Sequence, residues 1–188
     1  LPEGADPKLE SINQIDKIGV TEAVLENGLR VIIKPTKFEA DEVLVQVIAS
    51  GGYASAKKED FASAFLAAKV AKESGLGYQS IHALNYEFYH DSIEFSFEIE
   101  KNLRTIEATG PSKNIETMLR LVQSVFKKQN MSQEALESVL KREKTTLSNR
   151  SSDRDSTFEV IYTALNTKEE PGLLPVSLKD MENVSLDK

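Results

Sequence analysis

The chain has 188 residues, a formal net charge of −7 and no cysteine. The acidic balance argues against nucleic-acid binding, which draws its affinity from clustered Lys and Arg. The missing thiols exclude a disulfide framework, a thiolate nucleophile and a Cys-based metal site. An apolar content of 40% is ordinary for a packed core, and no apolar run approaches the ~20 residues of a membrane helix.

In chain order, residues 1–20 carry Pro2, Pro7 and scattered charge with little periodicity, and read as a linker or docking segment. The domain is expected to occupy 21–188. Its first elements are two β-rich runs, Ala23-Val24-Leu25 and Leu29 to Ile33, separated by Asn27-Gly28. Asn-Gly suits the positive φ angles of a tight hairpin, and Pro35, without an N–H, ends the second strand. Val43 to Ala49 is apolar on nearly both faces, which predicts a central strand stopping at Ser50-Gly51-Gly52. Phe61, Phe65, Leu66, Ala68 and Val70 follow a helical stripe from about Asp60 to Ser74, with Gly75 placed to cap it. An Ala-rich helix of this kind is expected to be buried.

A short helix over 80–88 is capped by Ser80 and carries Ile81, Leu84, Tyr86 and Phe88. Strict alternation at Ile93, Phe95, Phe97 and Ile99 predicts a half-buried strand, with Leu103 to Thr109 returning antiparallel. Ser112 reads as the N-cap of a helix to about Lys128 with a stripe of Ile115, Met118, Leu119, Val122, Val125 and Phe126. Ser132 opens another helix, with Ala135, Leu136, Val139 and Leu140. A further helix from Asp155 to Leu165 ends before Pro171-Gly172 and Pro175, and Ser177 to Asp180 resembles a capping box. Strands followed by helices, with neighbours paired, make an α+β domain: an antiparallel sheet covered by helices.

Candidate chemistry is sparse. A zinc site of the H-x-x-E-H kind needs two imidazoles on one helix face, a further carboxylate ligand and a Glu to polarise the bound water. The only histidines, His82 and His90, are eight apart and not on one predicted helix, so they read as ordinary surface or half-buried residues. No serine sits in a G-x-S-x-G elbow. Ser74-Gly75-Leu76-Gly77 lacks the G-K-[ST] of a phosphate loop and follows a helix where a dinucleotide fingerprint follows a strand, so it reads as a helix-ending turn. Glu94, Glu98 and Glu100 on one strand, and Glu169-Glu170 in a loop, look like solvated faces. Arg142, Arg150 and Arg154 read as partners in surface salt bridges, and Lys57-Lys58 and Lys127-Lys128 as helix-end charges. No residue is assigned a catalytic, cofactor-binding or metal-binding role.

The order of three segments is nevertheless specific: Val24-Leu-Glu-Asn-Gly-Leu-Arg-Val-Ile-Ile-Lys-Pro35, then Ser50-Gly-Gly52, then Ala64 to Gly77. It resembles the start of a domain of the insulinase (pitrilysin) family of zinc metallopeptidases, in which an L-x-N-G-L-x-V hairpin precedes a strand, a Gly-Gly turn and a long helix. Gly110 to Leu119, Leu147-Ser-Asn-Arg150 and Phe158 look like the second-half domains of long bacterial members. The family's zinc motif would fall in the helix from Phe61 to Ser74, where this chain has Phe-Ala-Ser-Ala-Phe-Leu-Ala-Ala-Lys-Val-Ala. The resemblance therefore implies a non-catalytic wall of a peptide-substrate chamber, incomplete on its C-terminal side, with zinc held elsewhere in the full-length protein. The implied partners are other domains of the same polypeptide or a catalytic family member, and peptide substrate. A catalytically dead scaffold of the same fold is the alternative, and a periplasmic or envelope setting is what the resemblance suggests.

Overall fold

The computed structural model describes residues 8–76, 79–127, 129, 131–151, 153–167 and 174–187. The expectations placed on Pro2, Pro7, Gly77, Lys128, Glu169, Glu170, Pro171 and Gly172 lie outside them. The chain divides into two compact units, before and after the Ala40–Asp41 peptide.

The first unit is a three-stranded antiparallel sheet in the order β1 (Leu9–Ile15), β2 (Val20–Leu25), β3 (Arg30–Ile33). β1 is a strand within the segment 1–20 that reads as a linker or docking segment, and it corrects the linker reading over 9–15. Its seven residues pair with β2 from Leu9↔Leu25 to Ile15↔Val20, with one register shift between Leu9 and Ser11. Pro and charge at the start of the segment masked a strand whose residues are all exposed, so burial left no periodic trace. The hairpin between β2 and β3 is present, but it is not a two-residue turn. Leu25 N–H donates to Leu29 C=O at 2.9 Å and Gly28 N–H to Leu25 C=O at 2.8 Å, enclosing a three-residue loop. Only Gly28 takes positive φ, +82°, as a type I turn followed by a left-handed residue requires. Asn27 instead accepts the Leu29 N–H on its side chain at 3.0 Å.

The second unit carries the helices. Its sheet runs β4 (Glu42–Ser50), β6 (Leu103–Pro111), β5 (Glu94–Ile99), antiparallel throughout. The helices are α1 (Phe61–Ser74), α2 (Ile81–Asp91), α3 (Ile115–Val125), α4 (Gln133–Ser151) and α5 (Arg154–Thr167). The α+β expectation therefore holds, with two sheets in place of one. The central-strand expectation for 43–49 does not: among the described strands β6 is central and β4 is at an edge. Two apolar faces report what touches the faces of a strand and carry no information on its lateral neighbours. Here Val43, Val45 and Val47 pack on the core while Leu44 and Ile48, on the other face, are 65% and 59% exposed.

Two apolar clusters hold this unit. One joins Ile93, Phe97, Ile106 and Ala108 of the sheet region to Ala68 and Ala71 of α1, Leu84 of α2, and Met118 and Leu121 of α3. The other joins Phe61, Leu66 and Val70 of α1 to Ala135, Leu136 and Val139 of α4, Val176 and Met181. Helix α1 belongs to both, which is why its small Ala residues are buried on more than one side.

The Gly-Gly turn after β4 is fixed by packing. Tyr53 N–H and Ala54 N–H donate to Glu100 C=O and Lys101 C=O, each at 3.0 Å, and a Cβ on Gly52 would stand 2.0 Å from the Glu100 oxygen. Only glycine fits there. Ser112 does not cap α3 as predicted. It begins a single 3₁₀ turn, and its hydroxyl and N–H bind Asp41, a non-glycine residue at φ +64°. The other caps are as expected: Ser80 and Ser132 accept N–H groups of Ala83 and Ala135 at 3.3 and 3.0 Å. Asp180 accepts Ser177 N–H at 2.8 Å, but only one 3₁₀ turn follows.

Candidate functional site

Helix α1 is the helix on which the family resemblance would place a metal motif, and it is packed on several sides. Phe61, Ala62, Ser63, Leu66, Ala68, Val70 and Ala71 are buried. Tyr53 sets its ring edge-on to Phe61 and Phe65, with centroids 5.5 and 5.3 Å apart. This is the geometry of a hydrophobic clamp on the first turns of the helix. Apart from the Ser63 hydroxyl these buried residues are apolar, with no imidazole or carboxylate among them.

The polar side of α1 is spent on α4. Lys69 pairs with Glu143 at 2.7 Å and lies 4.4 Å from the Phe65 ring centre. Glu73 accepts from Arg142 at 2.9 Å and from the Ser138 hydroxyl at 3.3 Å. The guanidinium hydrogen bond holds the Glu73 carboxyl below its usual range, and Glu73 in turn raises Arg142. Ser74 donates to Val70 C=O at 2.8 Å and accepts Ser132 N–H at 3.1 Å, tying the end of α1 to the start of α4. Each carboxylate and ammonium here already has a partner in the seam between two helices.

A shallow cavity of about 170 Å³ opens beside α1, lined mainly by Leu66, Val70, Met131, Leu136, Val184 and Leu186. Ser63 also lines it, and its buried Oγ has no hydrogen-bond partner among the described residues. Among the described residues no histidine or carboxylate lines the cavity, so none there is placed to act as a base for this hydroxyl.

The residues singled out in the sequence fall elsewhere. His82 and His90 both lie on α2, which corrects the expectation that they do not share a helix: it extends to Asp91, three residues past the predicted end. Eight residues of helix separate them by about 12 Å along the axis, too far to chelate one ion. Both are exposed, and His90 lies 3.9 Å from the Asp91 carboxylate. Among the described residues no group of three or more His, Asp or Glu is placed to hold a metal. Glu94 and Glu98 point to the open face of β5, Glu98 paired with Lys72, while Glu100 lies past the strand and accepts from Thr105 at 3.2 Å. Gly75 ends α1 at φ +96°, its N–H on Ala71 C=O at 3.1 Å, so the Ser74-Gly75 segment is a helix stop. Arg150 pairs with Glu159 at 3.5 Å. The described residues do not fit a catalytic zinc.

No family model matches the chain, and no curated protein matches it. Solved structures do. The periplasmic protease PqqL from Escherichia coli superposes with a TM-score of 0.81 at 15% identity, over 97% of this chain and 20% of that one. The ferredoxin protease FusC, solved in complex with Arabidopsis ferredoxin, gives 0.77 at 18% identity over 100% and 21%. A peptidase M16 inactive domain from Pseudomonas fluorescens gives 0.77 at 14% identity over 89% and 41%. The fold is that of an M16 peptidase domain. The chain spans about a fifth of the length of the first two proteases, so its M16-type fold corresponds to one part of each. Among the described residues no helix of that fold is long and apolar enough to cross a membrane.

Proposed function

We propose that this chain is a non-catalytic domain of a zinc-dependent metalloendopeptidase, forming part of the wall of a chamber in which a separate zinc-bearing domain hydrolyses peptides. The observation that carries this reading is the content of α1. In an M16-type fold the helix after the Gly-Gly turn is clamped by Tyr53, buried on its apolar sides and salt-bridged to α4 on its polar side, with no imidazole anywhere on it. Such a helix serves packing. The partners are then a zinc-bearing domain, in the same polypeptide or another, and the peptide it cuts.

A scaffold of the same fold is the competing reading, and one observation favours it: α5 leaves Phe158, Ile161, Tyr162 and Leu165 in solvent, as an interaction surface would. A peptidase assay separates the two. The chain alone, supplied with zinc, is expected to turn over no peptide. Added to a zinc-bearing domain from the same source, it is expected to raise turnover, and the scaffold predicts binding without that gain. Chelator-sensitive cleavage by the purified chain alone would refute both readings.

A further inference from the structure

Of the chain's asparagines only Asn27 is followed by glycine. With no Cβ on the next residue, little shields the Gly28 nitrogen from the Asn27 side-chain carbonyl. The reaction open to such a pair is deamidation. The Gly28 nitrogen gives up its proton and bonds to Asn27 Cγ, the Cγ–Nδ2 bond breaks, and ammonia leaves with that proton. Water then opens the five-membered imide at either carbonyl. The product is aspartate or, with the main chain rerouted through Cβ and Cγ, isoaspartate.

The closed hairpin withholds each part of that step. Gly28 N–H donates to Leu25 C=O at 2.8 Å, so its proton is held. Asn27 Oδ1 accepts Leu29 N–H at 3.0 Å, which pins the side chain toward the residue two ahead. Asn27 occupies the third position of the type I turn that starts at Leu25. There ψ is near 0°, and Cβ stands about 120° round the Cα–C bond from the Gly28 nitrogen. Ring closure needs the two on the same side. Turning ψ that far breaks the Leu25–Gly28 hydrogen bond that defines the turn.

We infer that Asn27 is a deamidation site gated by the β2–β3 hairpin, inert while the hairpin is closed and reactive once it opens. The two products have different fates. Aspartate keeps a side-chain oxygen for Leu29 N–H and leaves the loop its length. Isoaspartate adds one atom to the main chain of a three-residue loop, and loop length fixes hairpin register, so Val24↔Arg30 and the pairs beyond it no longer meet. Opening of the hairpin is thereby converted into a lasting change in the first unit.

The test incubates the whole chain at one mildly alkaline pH and one temperature, folded and in guanidinium chloride. Asn27 is followed by peptide mass spectrometry, with isoaspartate separated from aspartate. Only the open fraction reacts, so a hairpin open about a tenth of the time or less deamidates at least about tenfold more slowly folded than denatured. Hydrogen exchange of the Gly28 amide in the folded chain gives that open fraction independently, and the slowing is expected to match its protection. Arg30→Glu replaces the Arg30–Glu22 ion pair across the hairpin with two carboxylates. It is expected to raise the folded rate by at least about threefold, since like charges on paired strands repel, and to leave the rate in guanidinium chloride unchanged. Equal rates in the folded and denatured chain overturn the inference. So does a slowing far smaller than the Gly28 protection, which would mean that the closed hairpin reacts, or an Arg30→Glu chain that deamidates no faster than the parent when folded.

Discussion

α1 and α5 are both fourteen residues long, and both follow an apolar pattern that predicts a helix. α5 has the cleaner stripe, with Phe158, Ile161, Tyr162 and Leu165 at spacings of three, four and seven. Yet α1 buries seven residues and α5 none. The difference lies in side-chain size and not in periodicity. Ala62, Ala68 and Ala71 let α4, β5 and the Tyr53 turn approach α1 from several directions. The large residues of α5 are exposed and stack on one another, Phe158 on Tyr162 at 6.0 Å. A stripe says which side of a helix is apolar, and only the rest of the fold says whether something covers it.

The largest expected effect tests the buried half of that comparison. Leu66→Ala removes a side chain that is 1% exposed and shared between α1 and the α4 cluster, and is expected to cost about 2–5 kcal/mol in denaturant unfolding. Leu165→Ala on α5, where the side chain is 77% exposed, is expected to change stability by no more than about 0.5 kcal/mol. Equal losses would mean that α5 is covered in solution. Ser63→Ala sharpens the account of α1 itself. A buried hydroxyl without a partner carries a desolvation cost, so its removal is expected to stabilise the chain by about 1 kcal/mol. A comparable loss would show that the hydroxyl is bonded in solution.

The smallest effect concerns the seam between α1 and α4. Because the folded-state pKa of Glu73 is depressed, its pairing with Arg142 stabilises the fold above the unfolded carboxyl pKa and is lost as pH falls through the folded value. Arg142→Ala is therefore expected to cost on the order of 0.5 kcal/mol near neutrality, since Glu73 is more than a third exposed and solvent screens the pair. The difference from the parent chain should vanish in acid. A difference that persists there would assign the role of Arg142 to packing of its stem.

Most of the second unit was legible in its residues. The β5–β6 hairpin follows from strict alternation, α1 from its stripe and its glycine stop, and α4 from Ser132. The features that were not legible share a cause: they depend on partners distant in sequence. β1 has no buried residue to betray it, and β4 looks central because lateral pairing leaves no mark on a strand's faces. Ser112 looks like a cap until Asp41 claims its hydroxyl. For the candidate site, the decisive fact was plain in the sequence, since a helix reading Phe-Ala-Ser-Ala-Phe-Leu-Ala-Ala-Lys-Val-Ala offers no imidazole. What needed coordinates was that every charge on α1 is already committed to a neighbour, and that α2 runs on to include both histidines.

The central claim is that α1 serves packing and that this chain holds no zinc of its own. Zinc content and thermal unfolding of the purified chain, with and without added zinc and with chelator, test it most directly. The account predicts far less than one zinc per chain and a midpoint that neither zinc nor chelator moves. One tightly held zinc per chain, with a stabilisation that chelator reverses, would contradict it.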